Sequence, residues 1–387
     1  MKKRMLSALL AVCMMLTLLP TTALAVSEPT SLLRAIQNYG LTATWDGANT
    51  VTVSGTKENA TNFLKLDIPG GIDVKWEANL TGNVAYMYGL VELTSSTSQQ
   101  FQGGDFYIEE GGSIENTGGR ALGVSSELLE GAKAKPVYVS IMVNGGTIRA
   151  YDNHAIDLGA GGDARRHPIM SHIYISGGLV ETIEKSNPEF GETTNKSAIY
   201  YPSAYDGGSV AVNGGVVRTD AYNTSTIYVS SANFSSSVYV NGGLVETGVD
   251  GNGIETNGEV LVGTSEYVGD AVGGIVVGDT GILHRGFQTK VTVGGGIVFG
   301  RFPILEVDDA EYIVEKNGTL IKHAVAYTDD KTYNAGSSDK LEIEGATVTA
   351  TWSRQDEVSG IAYQKGEETG FFGVPGVTVV GTVLSER

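Results

Sequence analysis

Through the middle of the chain, apolar and polar residues alternate in short runs, and pairs of glycines separate the runs. Ile141-Met142-Val143-Asn144-Gly145-Gly146-Thr147-Ile148-Arg149 returns as Ile173-Tyr174-Ile175-Ser176-Gly177-Gly178-Leu179-Val180-Glu181. It returns again as Val210-Ala211-Val212-Asn213-Gly214-Gly215-Val216-Val217-Arg218 and as Val238-Tyr239-Val240-Asn241-Gly242-Gly243-Leu244-Val245-Glu246. Looser copies run from Phe106-Tyr107-Ile108 to Ser113-Ile114-Glu115, and from Val291-Thr292-Val293 to Ile297-Val298-Phe299. Strict alternation predicts strands with one buried and one wet face. Asn or Ser before Gly-Gly supplies residues that tolerate left-handed backbone angles, as an abrupt turn between two strands requires.

The second glycines fall at 112, 146, 178, 215 and 243, at intervals of 34, 32, 37 and 28. A third alternating piece follows in each period: Ala121-Leu122-Gly123-Val124, Ala155-Ile156-Asp157-Leu158, Ala198-Ile199-Tyr200-Tyr201, Thr226-Ile227-Tyr228-Val229 and Gly253-Ile254-Glu255-Thr256. Three strands per period, joined by loops of uneven length such as 159–171 and 184–195, describe one coil of a three-faced parallel β-helix. With Val240, Val245 and their equivalents inward, the outward residue after the turn reads Glu115, Arg149, Glu181, Arg218, Glu246. Stacked strands bring successive rungs within about 4.7–4.9 Å, where like charges repel and alternating signs attract. The alternation is the strongest internal sign that these residues are stacked.

This pattern resembles the right-handed parallel β-helix superfamily that includes the pectate lyases, whose coils often stack an asparagine at one turn. Asn144, Asn213 and Asn241 match that ladder, with Ser176 replacing one rung. More closely, the chain is similar to secreted carbohydrate-binding or surface β-helix repeat proteins of Gram-positive anaerobic bacteria. The resemblance covers roughly residues 60–302, and implies a fold rather than an activity.

Four segments are expected. Residues 1–25 read as a secretory signal peptide: Lys2, Lys3 and Arg4, an apolar stretch, then Ala23-Leu24-Ala25. Residues 26–100 form an N-terminal cap and atypical first coils, with a short helix from Ser31 as N-cap to Gly40 as stop, and irregular strands over 42–54 and 63–78. Residues 101–302 carry the β-helix repeats. Residues 303–387 form a small all-β C-terminal unit, with a hairpin signal at Asn317-Gly318 and strands over 341–352, 360–363 and 376–383.

Removing Lys2, Lys3 and Arg4 with the signal takes the net charge from −18 to −21. Such a surface repels nucleic acid and anionic lipid and favours solubility or cation binding. No second apolar run approaches the roughly 20 residues of a membrane span. The only cysteine, Cys13, lies in the signal, so the mature chain relies on its core and not on disulfides. Protein of a secreted or cell-surface location is the expectation.

Two outward rows are candidate ligand faces. The preferred one is on the third strand, where Gly123, Asp157, Tyr200, Tyr228 and Glu255 form a row, overhung by the longest loops and with His154 near its rim, that would make a groove suited to a polysaccharide. Before the turn, Tyr107, Met142, Tyr174, Ala211 and Tyr239 form a semi-apolar stripe, and tyrosine offers sugars a flat apolar face and a hydroxyl. The bland alternatives are a solvated strand face and tyrosine stacking that stabilises a sheet.

No catalytic constellation is legible. Asp157 and Glu255 are three coils apart, about 14 Å, beyond the roughly 5–9.5 Å of a glycosidase pair. Arg149 and Arg218, the obvious bases for a lyase, are flanked by glutamates that hold them protonated. Asp308-Asp309 and Asp329-Asp330 lie outside the repeats, and the Gly-His-Gly partner of polygalacturonases is missing. Asp152-Asn153 and Asp250-Gly251-Asn252 are oxygen-rich loops in which calcium is a possible ligand; no other cofactor is expected. The functional expectation is a non-enzymatic protein that binds a polysaccharide or a host or cell-surface glycan through a β-helix face. The alternatives are a polysaccharide lyase and a structural adhesion stalk.

Overall fold

A computed structural model describes residues 27–85, 88–95, 104–125, 137–159, 171–185, 196–202, 204, 207–231, 235–248, 251–263, 274–285, 289–293, 297–299, 302–306, 311–316, 319–323, 338–343 and 346–351. The signal segment, Asp250, Asn317-Gly318, the strands expected over 360–363 and 376–383, and most of both long loops lie outside these residues.

Parallel pairing between successive coils builds a right-handed β-helix with three faces. The first face starts at Thr50–Ser54, Asp73–Trp76 and Gly104–Ile108, and continues through Val139–Val143 and His172–Ile175. The second face starts at Thr56–Ala60, Asn79–Gly82 and Ser113–Asn116, and continues through Thr147–Tyr151 and Leu179–Ile183. In the next two coils the strands run unbroken across the turn, as Ser209–Thr219 and Ser237–Glu246. The third face is a nine-stranded sheet from Leu64–Asp67 to Phe302–Glu306.

The alternation read from the sequence has its expected sense. Ile108, Val143, Ile175, Val212 and Val240 point inward before the turn, as do Ile114, Ile148, Val180, Val217 and Val245 after it, and none of them is exposed. Near the N-terminal end the core takes larger residues: Trp76 and Phe106 are fully buried, with ring centroids 5.9 Å apart. The coils of residues 50–94 pair in parallel with those that follow, with an irregularity in register between Lys57 and Ala60. Parallel pairing also runs past residue 302, through Phe302–Glu306 on the third face and Glu311–Lys316 on the first.

The turn obeys a different rule from the one expected. Among the described non-glycine residues, positive φ occurs at Asn59, Asp152 and Asn223, and not at Asn144, Ser176, Asn213 or Asn241. The left-handed residue is instead the second glycine in the later turns, with φ of 76° at Gly178, 72° at Gly215 and 73° at Gly243. Packing between coils explains the choice. A Cβ at Gly178 would sit 2.1 Å from the Gly146 carbonyl oxygen, one at Gly215 2.7 Å from that of Gly178, and one at Gly243 2.6 Å from that of Gly215. Glycine is needed there for close stacking as well as for conformation. The asparagines instead face solvent, where Asn241 Nδ2 donates to Asn213 Oδ1 at 3.0 Å. Ser176 interrupts that row, and Asn144 Nδ2 turns to Glu109 Oε2 at 3.3 Å.

The charge ladder forms as expected, with Glu115, Arg149, Glu181, Arg218 and Glu246 in register on successive coils of the second face. Glu181 is its hub. Its Oε2 accepts from Arg149 Nε at 2.7 Å and its Oε1 from Arg218 Nε at 2.6 Å, while Arg149 Nη1 reaches Glu115 Oε2 at 3.3 Å. The Glu181 side chain is 6% exposed, against 27% for Arg149 and 46% for Arg218. Water therefore screens the arginines more than the carboxylate. Glu181→Ala is expected to cost about 1–3 kcal/mol, between the values for exposed and buried pairs, read as a lower urea midpoint. Glu115→Ala, at the exposed end, should cost less.

Both edges of the first face are closed by antiparallel strands. Thr42–Trp45 pairs with Thr50–Ser54 at one end, and Thr319–His323 pairs with Glu311–Lys316 at the other. A further hairpin, Ser338–Ile343 with Ala346–Thr351, follows. The helix spans Thr30–Tyr39 and buries Leu32, Leu33 and Ile36 against the first coil. Gly40 ends it in the left-handed conformation (φ 96°), as expected. Its start differs: Pro29, and not Ser31, is the N-cap, without a side-chain hydrogen bond. The fixed φ of proline sets the chain's entry instead.

Candidate functional site

The first face presents two outward columns side by side. In one, Lys75, Tyr107, Met142, Tyr174, Ala211, Tyr239 and Leu261 occupy the same rung position on seven consecutive coils. Tyr107, Tyr174 and Tyr239 are each partly exposed, and they recur on alternate coils, separated by Met142 and the nearly buried Ala211. At the strand spacing, neighbouring tyrosines are about 9.5 Å apart, too far for their rings to stack on one another.

The second column lies two residues earlier on the same strands: Asp73, Asp105, Ser140, His172, Ser209, Ser237 and Glu259. It is polar throughout. Tyr107 Oη donates to Asp105 Oδ2 at 3.2 Å, and His172 Nδ1 lies 2.8 Å from Ser209 Oγ. Burial, together with the Asp105 and Asp73 charges, pushes the Tyr107 hydroxyl up to about 12. Burial and the neighbouring Asp105 also raise the Asp73 carboxyl above its ordinary range. The face thus combines spaced aromatic platforms with a parallel line of hydroxyl, carboxylate and imidazole groups.

The third face has the register read from the sequence. Gly123, Asp157, Tyr200, Tyr228 and Glu255 stand in line on successive coils, which puts Asp157 and Glu255 three coils apart. Their surroundings are less open than that row suggests. Asp157 is 6% exposed, and its Oδ2 accepts from Arg120 Nη1 at 2.8 Å. Tyr200 stacks on His154 at 4.2 Å between centroids and on Tyr228 at 5.2 Å. Its ring faces are therefore covered by its own neighbours. Glu255 Oε2 accepts from Ser225 Oγ at 2.6 Å, and its Oε1 from Arg285 Nε at 2.7 Å.

Sequence reasoning missed two residues that shape this row. Glu92 precedes Gly123 in the same register and is 2% exposed. Its carboxylate fills the space a side chain at Gly123 would need, since a Cβ there would lie 2.3 Å from Glu92 Oε2. Burial raises the Glu92 carboxyl, with the Arg120 charge opposing. Alternation in Val91-Glu92-Leu93 was a usable signal for Glu92. Arg120 arrives from the corner before its strand, where alternation carries no information. Glu92 and Asp157 are buried around an arginine, an arrangement that holds a corner together and withdraws both carboxylates from a substrate.

His154 is a structural part of this stack. The corner beneath it is fixed by Thr182 Oγ1, which donates to Asn153 O at 2.9 Å and Ser197 O at 3.1 Å. His154 Nδ1 lies 3.1 Å from the Ser197 amide nitrogen and 3.3 Å from the Ser197 carbonyl oxygen, so the same backbone unit holds the ring in either tautomer. Burial pushes the His154 imidazole below its usual range. The unfolded chain then takes up a proton, below about pH 6.5, that the folded chain refuses. His154 contributes stability above that pH and loses it as pH falls through the lowered value. In His154→Phe, which keeps the stacked ring, the melting-temperature gap to wild type is expected to narrow between pH 7 and pH 5. A gap that widens on acidification would contradict this assignment.

At the proposed calcium loops, Asp152 Oδ1 accepts from Lys196 Nζ at 3.1 Å and from the Lys185 N–H at 3.0 Å. Lys196 Nζ also donates to Glu184 Oε1 at 2.7 Å, so an ammonium group sits among these carboxylates. Among the described residues there is no group of three or more His, Cys, Asp or Glu side chains arranged to hold a metal ion. No described helix is long and apolar enough to cross a membrane. No protein-family model, curated protein or solved structure matches the chain.

Proposed function

We propose that this is a secreted or cell-surface, non-enzymatic glycan-binding protein, and that the first face of its β-helix is the binding surface. The observation that carries the reading is the recurrence of Tyr107, Tyr174 and Tyr239 on alternate coils beside the polar column from Asp105 to Glu259. A sugar ring offers an apolar face of C–H groups and an equator of hydroxyls. It meets a flat aromatic surface on one side and hydrogen-bonding groups at its edge. The third face supports this role less well, because Tyr200 has neighbours on its ring faces and Asp157 is engaged by Arg120.

A lyase reading gains nothing from Arg149 and Arg218, each held by Glu181. The three-strand coil and the paired turn asparagines Asn213 and Asn241 are consistent with the pectate-lyase-like superfamily, and with the secreted repeat proteins of Gram-positive anaerobes. Affinity electrophoresis against plant, mucin and cell-wall polysaccharides tests the proposal. At least one polysaccharide should retard the wild type, Tyr174→Ala should migrate faster in it, and Tyr200→Ala should behave as wild type. Unretarded migration in every polysaccharide would overturn the reading.

A further inference from the structure

Resting on the glycan-binding reading of the first face, we infer that the ligand is an uncharged, extended β-1,4-linked glycan. It lies along the helix axis with one sugar per coil and every second sugar on a tyrosine.

Three observations lead there. The first is direction. Tyrosines on one strand position in alternate coils form a line parallel to the helix axis, and not along a strand. A chain that touches all three must run along that axis.

The second is period. Coils repeat at about 4.7–4.9 Å, and an extended β-1,4-linked chain of pyranoses advances by little more than this per sugar. Successive sugars in such a ribbon are turned over relative to one another, so only every second one presents the same face. The row Tyr107, Met142, Tyr174, Ala211, Tyr239 has the same alternation: a ring, then a residue without one, then a ring. An α-1,4-linked glucan coils instead, and its rings leave a straight row after a short contact. The small mismatch between sugar advance and coil spacing accumulates slowly, and five coils are short enough to accommodate it.

The third is charge. The polar column carries Asp73 and Asp105 at one end and Glu259 at the other, where Lys290 follows in register. Between Tyr107 and Tyr239 neither column carries a lysine or arginine; Lys75 and Lys322 lie in register beyond the two ends. With a net charge of −18 over the chain, this surface repels uronic-acid and sulfated polymers. Serine hydroxyls and the His172 imidazole between the acidic ends suit neutral sugar hydroxyls.

Titration calorimetry with defined oligosaccharides of two to seven sugars tests this on the full chain. β-1,4-linked glucose, mannose and N-acetylglucosamine series would be compared with an α-1,4-linked glucose series. Affinity for at least one β-linked series should rise in steps as the third and fifth sugars are added, by roughly threefold to tenfold per tyrosine reached, and then level off. Tyr239→Ala should abolish the last step and keep the first, while Tyr239→Phe, which keeps the ring, should retain both. Melting temperatures within a degree or so of wild type would establish that both variants fold. Equal affinity for α- and β-linked chains, a dependence without steps, or tighter binding of a uronic-acid polymer would overturn the inference while leaving the first-face reading intact. Failure of every glycan to bind would remove both.

Discussion

Gly215→Ala is expected to lower the unfolding free energy by about 2–5 kcal/mol, the combined cost of a left-handed alanine and of an overpacked contact. The methyl group would lie 2.6 Å from the Gly177 carbonyl carbon and 2.7 Å from the Gly178 carbonyl oxygen. Those atoms belong to the backbone of the preceding coil, fixed by ladder hydrogen bonds on both sides of the turn, so they cannot move aside as a side chain would. Gly111 is the internal control. It too has a positive φ, of 85°, but a Cβ there meets nothing within 4 Å. Gly111→Ala should cost only the conformational part, about 1–2 kcal/mol. Because coils are stabilised by their neighbours, the damage at Gly215 should spread to the coils either side of it. Denaturant midpoints of the two variants, with hydrogen exchange along residues 172–246, would show both the difference and its location. Equal losses at the two glycines would mean that stacking distance does not constrain the turn.

The contrast between these glycines marks how far the sequence could be read. Periodicity of two is a local property, so the inward Val240 and Val245 and the ladder from Glu115 to Glu246 were legible from spacing alone. The reason for Gly-Gly was not, because the close approach that demands it occurs between residues some thirty positions apart. The same holds for the third face. Its register was legible, but not the Arg120 side chain that reaches Asp157 or the His154 ring that covers Tyr200. Both come from corners, where no alternation exists. Glu92 lay in a coil without the glycine phrase, and the room it occupies is created by Gly123 on the next coil. The tyrosine stripe, by contrast, was visible as a row, and the structure adds that these rings are too widely spaced to cover one another.

The second large effect is on binding. Replacing Tyr107, Tyr174 and Tyr239 together by alanine is expected to reduce glycan affinity by at least about 100-fold. Each ring contributes on the order of 1 kcal/mol or more from apolar contact with a sugar face, and tenfold corresponds to about 1.4 kcal/mol. The three side chains are outward and partly exposed, so the triple variant should keep its core and its melting temperature within a few degrees. Single variants should lose about fivefold to tenfold each, and the middle ring most, since it serves every ligand that spans two tyrosines. Surface plasmon resonance on an immobilised polysaccharide measures the series. An undiminished signal from the triple variant would place binding elsewhere on the molecule.

The most direct measurement is chemical protection. Tyrosine acetylation mapped by mass spectrometry, with and without a saturating β-1,4-linked oligosaccharide, reports which rings the ligand covers. Protection of Tyr107, Tyr174 and Tyr239, with the reactivity of Tyr200 and Tyr228 unchanged, is the predicted result. Protection of Tyr200 and Tyr228 with the first-face tyrosines still reactive would contradict it.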